Sequence, residues 1–282
     1  MICIDGIKEI RETVKEWRKE GLSVGFVPTM GYLHEGHESL VKKAKRENDR
    51  VIVSIFVNPT QFGVNEDLDA YPRNLENDKV ICKRAGANII FNPKNEEMYF
   101  ADEVSFVDMN GLTKELCGKS RPIHFRGVCT VVTKLFNIVK CDRAYFGQKD
   151  AQQLAVIKRM VRDLNMEVEV ISCLIIREDD GLAKSSRNIY LSKEERKAST
   201  ILNKALKKAK EMLDDGELDA RKIELRIKAT ITMEKLAKID YIKVVDSTTI
   251  SKVNKIENEV LVAIAIFIGK TRLIDNFIYK AE

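Results

Sequence analysis

Histidine is scarce in this chain of 282 residues: there are three, at positions 34, 37 and 124. The six cysteines, at 3, 82, 117, 129, 141 and 173, include no C-x-x-C pair. So few ligands at such spacings argue against a structural zinc site. No stretch approaches the roughly 18 uninterrupted apolar residues of a membrane span; the longest, residues 260–269, has the length of a strand. The opening residues lack the basic start and long apolar core of a secretory signal. The expected location is therefore cytoplasmic, and the expected state of the cysteines is free thiol without disulfides. Charge of one sign is not gathered anywhere: 48 Lys and Arg are interspersed with 43 Asp and Glu, for a net +5. A nucleic-acid binder concentrates its basic residues in a patch or stripe, so no nucleic-acid partner is expected, and an anionic small molecule suits the mild positive excess. Internal repeats and low-complexity linkers are also missing.

What is there is ordinary in amount and patterned in order. Apolar residues make up 44% and charged residues 32%, which suits a soluble globular protein and not a disordered one. The length allows two domains. Helical spacing over 7–20 is followed by an apolar run at 24–27, a helical stretch at 38–46 and the β-branched run VIVSIFV at 51–57. Residues 75–85 read as helix and 87–91 as strand. Then come a helix at 127–139, a strand at 143–146, a helix at 150–164 and a strand at 167–176. This alternation predicts an α/β fold, a Rossmann-like doubly wound parallel sheet with right-handed crossovers. After residue 190 the composition shifts. A capping box at Ser192 opens a Lys-rich helix over 192–213, Asp219 opens another over 219–237, and strands follow at 241–245, 260–268 and 271–274, the last two joined at Gly269-Lys270. The chain is thus divided into residues 1–180, a Rossmann-like nucleotide- and substrate-binding domain, and 181–282, a smaller α+β domain closing over the site.

Four loaded segments follow strands and so converge on one edge of one sheet. His34 and His37 in Met30-Gly31-Tyr32-Leu33-His34-Glu35-Gly36-His37 lie one helical turn apart. If a helix begins near Glu35, both rings share a face at a terminus that favours phosphate. Residues 177–188 bring Lys184, Ser185, Ser186 and Arg187 together, with Gly181 as a flexible point; the segment reads either as a phosphate-closing loop or as a charged linker. In Gly147-Gln148-Lys149-Asp150, Lys149 sits where a phosphate would meet the start of the next helix and Asp150 reads as its cap, a ribose contact being the other reading. In 56–63, Asn58 and Gln61 are neutral hydrogen-bonding groups suited to a small polar substrate, although Asn-Pro is also turn chemistry. Arg121 can hold a carboxylate through two bonds or lie on the surface, and His124 can cap the helix that follows.

The segments 28–37, 56–63, 69–73, 121–128, 146–154 and 180–188, in this order, resemble the pantoate–β-alanine ligase (pantothenate synthetase) family over almost the whole chain. The resemblance places the sequence in the HxGH nucleotidyltransferase superfamily, related to class I aminoacyl-tRNA synthetases. It implies a Rossmann-like domain, a smaller C-terminal domain and a homodimer. It also implies ATP with Mg²⁺ and two steps: pantoate attacks the α-phosphate to give pantoyl adenylate and diphosphate, then the amine of β-alanine attacks the acyl carbon and AMP leaves. By position, Met30 to His37, Gly147 to Asp150, Ile176 through its backbone, and Lys184 to Arg187 would contact ATP, while Gln61 and Gln153 would hold pantoate, Gln61 also bordering β-alanine. Asn58 and Arg121 complete the expected substrate set. His34, His37, Lys149, Ser185, Ser186 and Arg187 form the expected catalytic set. His37 is the family's proton donor, and we read its role as stabilising phosphate charge. Two positions depart from the family: Gln148 where Glu is usual, and Lys184 where Met or Leu is usual. The extra cation predicts tighter ATP or pyrophosphate binding than in a Lys184→Met variant. The other readings are a related nucleotidyltransferase acting on a phosphorylated small molecule, which would not need the neutral pocket, and an RNA-binding synthetase-like module, which would need clustered basic charge.

Overall fold

The structure, a computed structural model, describes residues 1–64 and 66–281; position 282, the last of the expected second domain, lies outside them. Strands β1 (Ile2–Ile4), β2 (Val24–Thr29), β3 (Arg50–Ile55), β4 (Ile89–Phe91), β5 (Arg143–Gly147) and β6 (Glu169–Cys173) form one sheet in the order β1-β4-β3-β2-β5-β6. All its pairings are parallel. From β2 the chain steps outward through β3 to β4, then returns to the other flank of β2 for β5 and β6. The reversal opens a crevice at the C-terminal ends of β2 and β5, where such sheets bind ligands.

Helices α1 (Ile7–Lys19), α2 (Glu35–Glu47), α3 (Leu75–Ala85), α4 (Asn95–Met98), α5 (Cys117–Ser120), α6 (His124–Val139) and α7 (Ala151–Asp163) connect the strands. Both faces of the sheet are covered, which is why its strands read as unbroken apolar runs. On one face Phe26 and Ile52 pack with Ile10 and Val14 of α1 and Val128 and Leu135 of α6. On the other Val27, Val51 and Val53 meet Val41 and Ala44 of α2 and Ile81 of α3. Two expected strands are shorter than their apolar runs. β3 stops at Ile55, before Pro59 opens a short 3-10 turn (Pro59–Gln61), and β6 stops at Cys173. β1 has no counterpart in the sequence reading, because three residues carry no period; pairing with β4 defines it.

The remaining helices, α8 (Lys193–Ala198), α9 (Ile201–Asp214) and α10 (Ala220–Ile231), precede an antiparallel sheet of β7 (Ala237–Asp246), β8 (Glu259–Ile268) and β9 (Thr271–Lys280), in that spatial order. Leu202, Leu206, Ile223 and Ile227 of α9 and α10 share a buried cluster with Val262, Ile264 and Ile266 of β8. The single helix expected over 192–213 is two helices. The hydroxyls of Ser199 and Thr200 donate to the carbonyls of Arg196 (2.6 Å) and Lys197 (2.9 Å), and compete there with the helical ladder. The capping box at Ser192, the Asp219 cap and the turn at Gly269 are as expected. Among the described residues no helix is long and apolar enough to cross a membrane.

Candidate active site

The crevice holds a cavity of about 240 Å³ whose wall includes Met30, His34, Gly36, His37, Asn58, Gln61, Lys149, Gln153, Ile176 and 184–187. It adjoins a larger one of about 1280 Å³, bounded on its far side by β7, β8 and β9. Arg121, His124, Lys149, Asp150 and Gln153 line both.

The first wall grows from the end of β2. Thr29 donates its hydroxyl to the Ser54 carbonyl (2.7 Å) and accepts from the Gly31 N–H (3.1 Å). The next two N–H groups, of Tyr32 and Leu33, donate to the two oxygens of Asp78 in α3 at 2.9 and 2.7 Å. This buried carboxylate holds Tyr32 at a φ of +51°, a region costly for a residue with a side chain. Nothing in the sequence singles out Asp78; a carboxylate in the first turn of a helix looks like an ordinary dipole partner. Helix α2 begins at Glu35, ahead of the expected 38–46, with His34 as its cap, so the condition under which the two histidines share a face is met. His34 Nδ1 accepts from the Gly36 N–H (3.1 Å), and His37 Nδ1 accepts from the His34 N–H (3.3 Å). The ring of His34 folds so closely over Gly36 that a Cβ there would lie 2.8 Å from its Cε1. The two ring centres are 4.2 Å apart. Leu33 points into the core, and of the eight expected residues Met30, His34, Gly36 and His37 reach the cavity.

The hydrogen bonds assign the tautomer. An imidazole nitrogen that accepts a backbone N–H carries no proton, so both rings hold theirs on Nε2. Burial, with Lys149 and Lys184 nearby, pulls His34 down to about 4. Burial and the neighbouring His34 and Lys149 hold His37 well below the usual range. At neutral pH the wall therefore presents two uncharged N–H donors beside two ammonium groups.

The facing wall is a hairpin. Lys184 N–H donates to the Ile176 carbonyl (2.9 Å), Glu178 N–H to Leu182 (2.8 Å), and Arg177 and Ala183 form an antiparallel bridge. Arg177 donates through both terminal nitrogens to the buried Asp275 of β9, at 2.7 and 2.9 Å. The segment expected to be loose around Gly181 is thus stitched to itself and to β9. From it, Lys184 Nζ reaches Glu35 (2.9 Å), and Ser186 donates to the Tyr32 carbonyl (3.3 Å). Ser185 accepts from the Arg187 N–H (3.3 Å), and Arg187 makes a paired bond to Asp67, both arms at 2.9 Å. Burial raises the carboxyl of Asp67, but the Arg187 guanidinium outweighs it and the net shift is downward.

The neutral pocket is built on Gln61. Asn58 spends its amide on Gln61 Oε1 and the Gly127 carbonyl, both at 3.1 Å. Its oxygen accepts from Thr60 (3.0 Å) and Tyr99 (2.7 Å). Asn58 is therefore fully engaged by its own chain and orients Gln61. Gln61 Nε2 donates to Met30 Sδ (3.1 Å) and keeps one N–H free of such a bond. Helix α6 approaches this turn so closely that a Cβ on Gly127 would lie 2.4 Å from the Thr60 carbonyl oxygen. His124 Nδ1 bonds the Gln61 carbonyl at 3.0 Å, so its proton is on Nδ1 and Nε2 carries a lone pair, the reverse of His34 and His37. Burial and Arg121 hold His124 at about 4. Arg121 does meet a carboxylate through two bonds, that of Glu66. Gln153 lines the cavity, whereas Gln152 is buried against the loop before α5, its amide donating to Leu112 (2.8 Å) and Glu115 (2.7 Å).

The turn after β5 corrects one expectation. Asp150 makes no side-chain cap bond; a 3-10 turn (Gln148–Asp150) already leads into α7, and its carboxylate lies 3.7 Å from Lys149 Nζ. Asn276 of β9 donates to the carbonyls of Gln148 (3.0 Å) and Lys149 (2.8 Å). Neither Asn276 nor the acidic partners Glu66 and Asp67 had a signal in the sequence, since each works through residues distant in the chain.

A family model described as pantoate-beta-alanine ligase matches residues 2–278. The chain is 64% identical to the pantothenate synthetase of Enterococcus faecalis over the full length of both, and 61% identical to that of Clostridium acetobutylicum, over 99% of this chain and 100% of the relative. Among solved structures, a pantothenate synthetase from Thermus thermophilus superposes with a TM-score of 0.94 at 41% identity, over 98% of this chain and 99% of that one. A pantoate-beta-alanine ligase from Francisella tularensis, complexed with beta-gamma ATP and beta-alanine, gives 0.79 at 38% identity, over 98% and 97%.

Proposed function

The chain belongs to the pantoate-beta-alanine ligase family, and we propose how its own residues carry out the ATP-dependent joining of pantoate to β-alanine. The observation that carries the proposal is the donor wall: His34 and His37, neutral and with the proton on Nε2, near Lys149 and Lys184. The carboxylate oxygen of pantoate attacks the α-phosphorus of ATP, and the bond from that phosphorus to the oxygen bridging to the β-phosphate breaks. Negative charge grows on the departing diphosphate, and fixed donors in a partly enclosed site stabilise it without reorganising. Ser185, Ser186 and Arg187 complete the wall from the hairpin, Gly147 to Asp150 border the phosphates, and Ile176 borders the base.

Gln61, oriented by Asn58, and Gln153 hold pantoate. The amine of β-alanine then attacks the acyl carbon, the bond to the AMP oxygen breaks, and the amine gives up a proton. For its carboxylate we propose Arg121, which would exchange Glu66 for the substrate. A related enzyme has been solved complexed with beta-gamma ATP and beta-alanine, which supports both ligands here. Mg²⁺ takes mainly phosphate and water oxygens. Asp150, on the cavity wall and not held by an arginine, suits it as a protein ligand; bound there, the ion would neutralise phosphate charge. Residues 181–282 are proposed as the unit that covers the site. Six free cysteines suit a reducing compartment such as the cytoplasm. The test is mass spectrometry of products from ATP, pantoate and β-alanine, with pantoate-dependent ATP–pyrophosphate exchange. AMP and pantothenate support the reading; ADP as product refutes it.

A further inference from the structure

Lys184, on the hairpin wall of the cavity, is already paired. Its ammonium lies 2.9 Å from Glu35, the first residue of α2, and Lys184 itself lines the cavity with His34 and His37. The Glu35 carboxylate therefore stands where the helix N-terminus and a lysine converge, the arrangement that attracts a phosphate. Its own N–H and Lys184 hold the Glu35 carboxyl below its usual range, so it is ionised at neutral pH. The partners are unequal. The Lys184 side chain is 23% exposed and tucked into the wall, while that of Glu35 is 61% exposed. Glu35 can swing into water at little cost; Lys184 stays beside His34.

We propose that Glu35 is an internal competitor of the triphosphate for Lys184, and that nucleotide entry is coupled to breaking this pair. The inference rests on ATP binding in this cavity. A polyphosphate brought to Lys184 repels the carboxylate beside it, so the two anions exchange on one cation. The pair latches the hairpin to the start of α2, and the Ser186 bond to Tyr32 ties it to the turn just before. The gain that Lys184 offers to ATP is then partly cancelled by Glu35.

Calorimetric titration of ATP with Mg²⁺, without pantoate so that no turnover occurs, tests the latch on wild type, Glu35→Gln, Lys184→Met and the double variant. A half-exposed ion pair corresponds to about a two- to fivefold change in affinity. Glu35→Gln is expected to tighten ATP by that factor, Lys184→Met to weaken it, and the gain from Glu35→Gln to shrink in the Lys184→Met background. Weaker or unchanged binding by Glu35→Gln, in a variant whose thermal melting matches wild type, overturns the latch: Glu35 would then orient Lys184 or do nothing. An equal gain in both backgrounds overturns it too, since simple repulsion would explain that. A wild type that binds no ATP refutes the placement of the nucleotide as well, which separates the two failures.

Discussion

All three histidines of this chain are held neutral, and that has a measurable cost in acid. Their ordinary value is 6.5, whereas His34 and His124 are lowered to about 4 and His37 well below its usual range. Well above pH 6.5 neither the folded nor the unfolded chain carries histidine protons, and these residues make no difference. As pH falls from 6.5 towards 4 the unfolded chain takes up protons that the folded chain refuses, so stability declines. The denaturation midpoint is expected to drop between pH 7 and pH 5, and less steeply when His37 is changed to Gln; an identical slope in that variant counts against the assignment. Activity should show no limb near 6.5. Asp78 supplies a second prediction. In Asp78→Asn one amide oxygen can serve Tyr32 or Leu33, and the NH₂ group then faces the other N–H. We expect a loss of about 1–3 kcal/mol in chemical denaturation and a larger KM for ATP through the loosened 31–34 turn. The histidines were legible in the sequence because their spacing matches a helical turn. Asp78 was not, because its partners lie 45 and 46 positions away.

Elements were legible where their own periodicity or caps decide them, as in α3, which matches the expected 75–85, while α2, expected over 38–46, starts three residues earlier at Glu35, where the capping histidine His34 opens it. They were misread where side chains compete with the backbone, as at Ser199 and Thr200, or where an apolar run outlasts its pairing, as at the end of β3. The hairpin at 176–184 was hidden for another reason: its polar sequence has a linker's composition, and its order comes from Arg177 meeting Asp275 in β9. The contact of α6 with the turn at 59–61 yields the element-scale prediction. Gly127→Ala places a methyl group against the Thr60 and Gln61 backbone, which must shift and carry Gln61 with it. The variant should lose about 1–3 kcal/mol of stability and raise KM for pantoate more than KM for ATP. Equal effects on both would show general unfolding instead of a displaced Gln61.

For the whole molecule, Phe100, Val104 and Phe106 stand 69%, 89% and 59% exposed within one irregular segment, an unusual concentration for a surface meant to stay in water. Burial against a second copy is one way for it to leave water, and the homodimer expected from the sequence supplies such a copy. Val104→Asp should shift sedimentation from dimer towards monomer; a wild type that sediments as a monomer removes the idea. The bond from Asn276 to the turn after β5 has a consequence of a different kind. In a trans peptide the carbonyl and the following N–H point in opposite directions. By drawing the Gln148 and Lys149 carbonyls to itself, β9 turns the N–H groups of Lys149 and Asp150 the other way. The polarity of that turn is therefore set by the last strand and not by the side chains on the turn. The side chain at position 148 takes no part in that constraint, which Asn276, far away in the chain, imposes on the backbone.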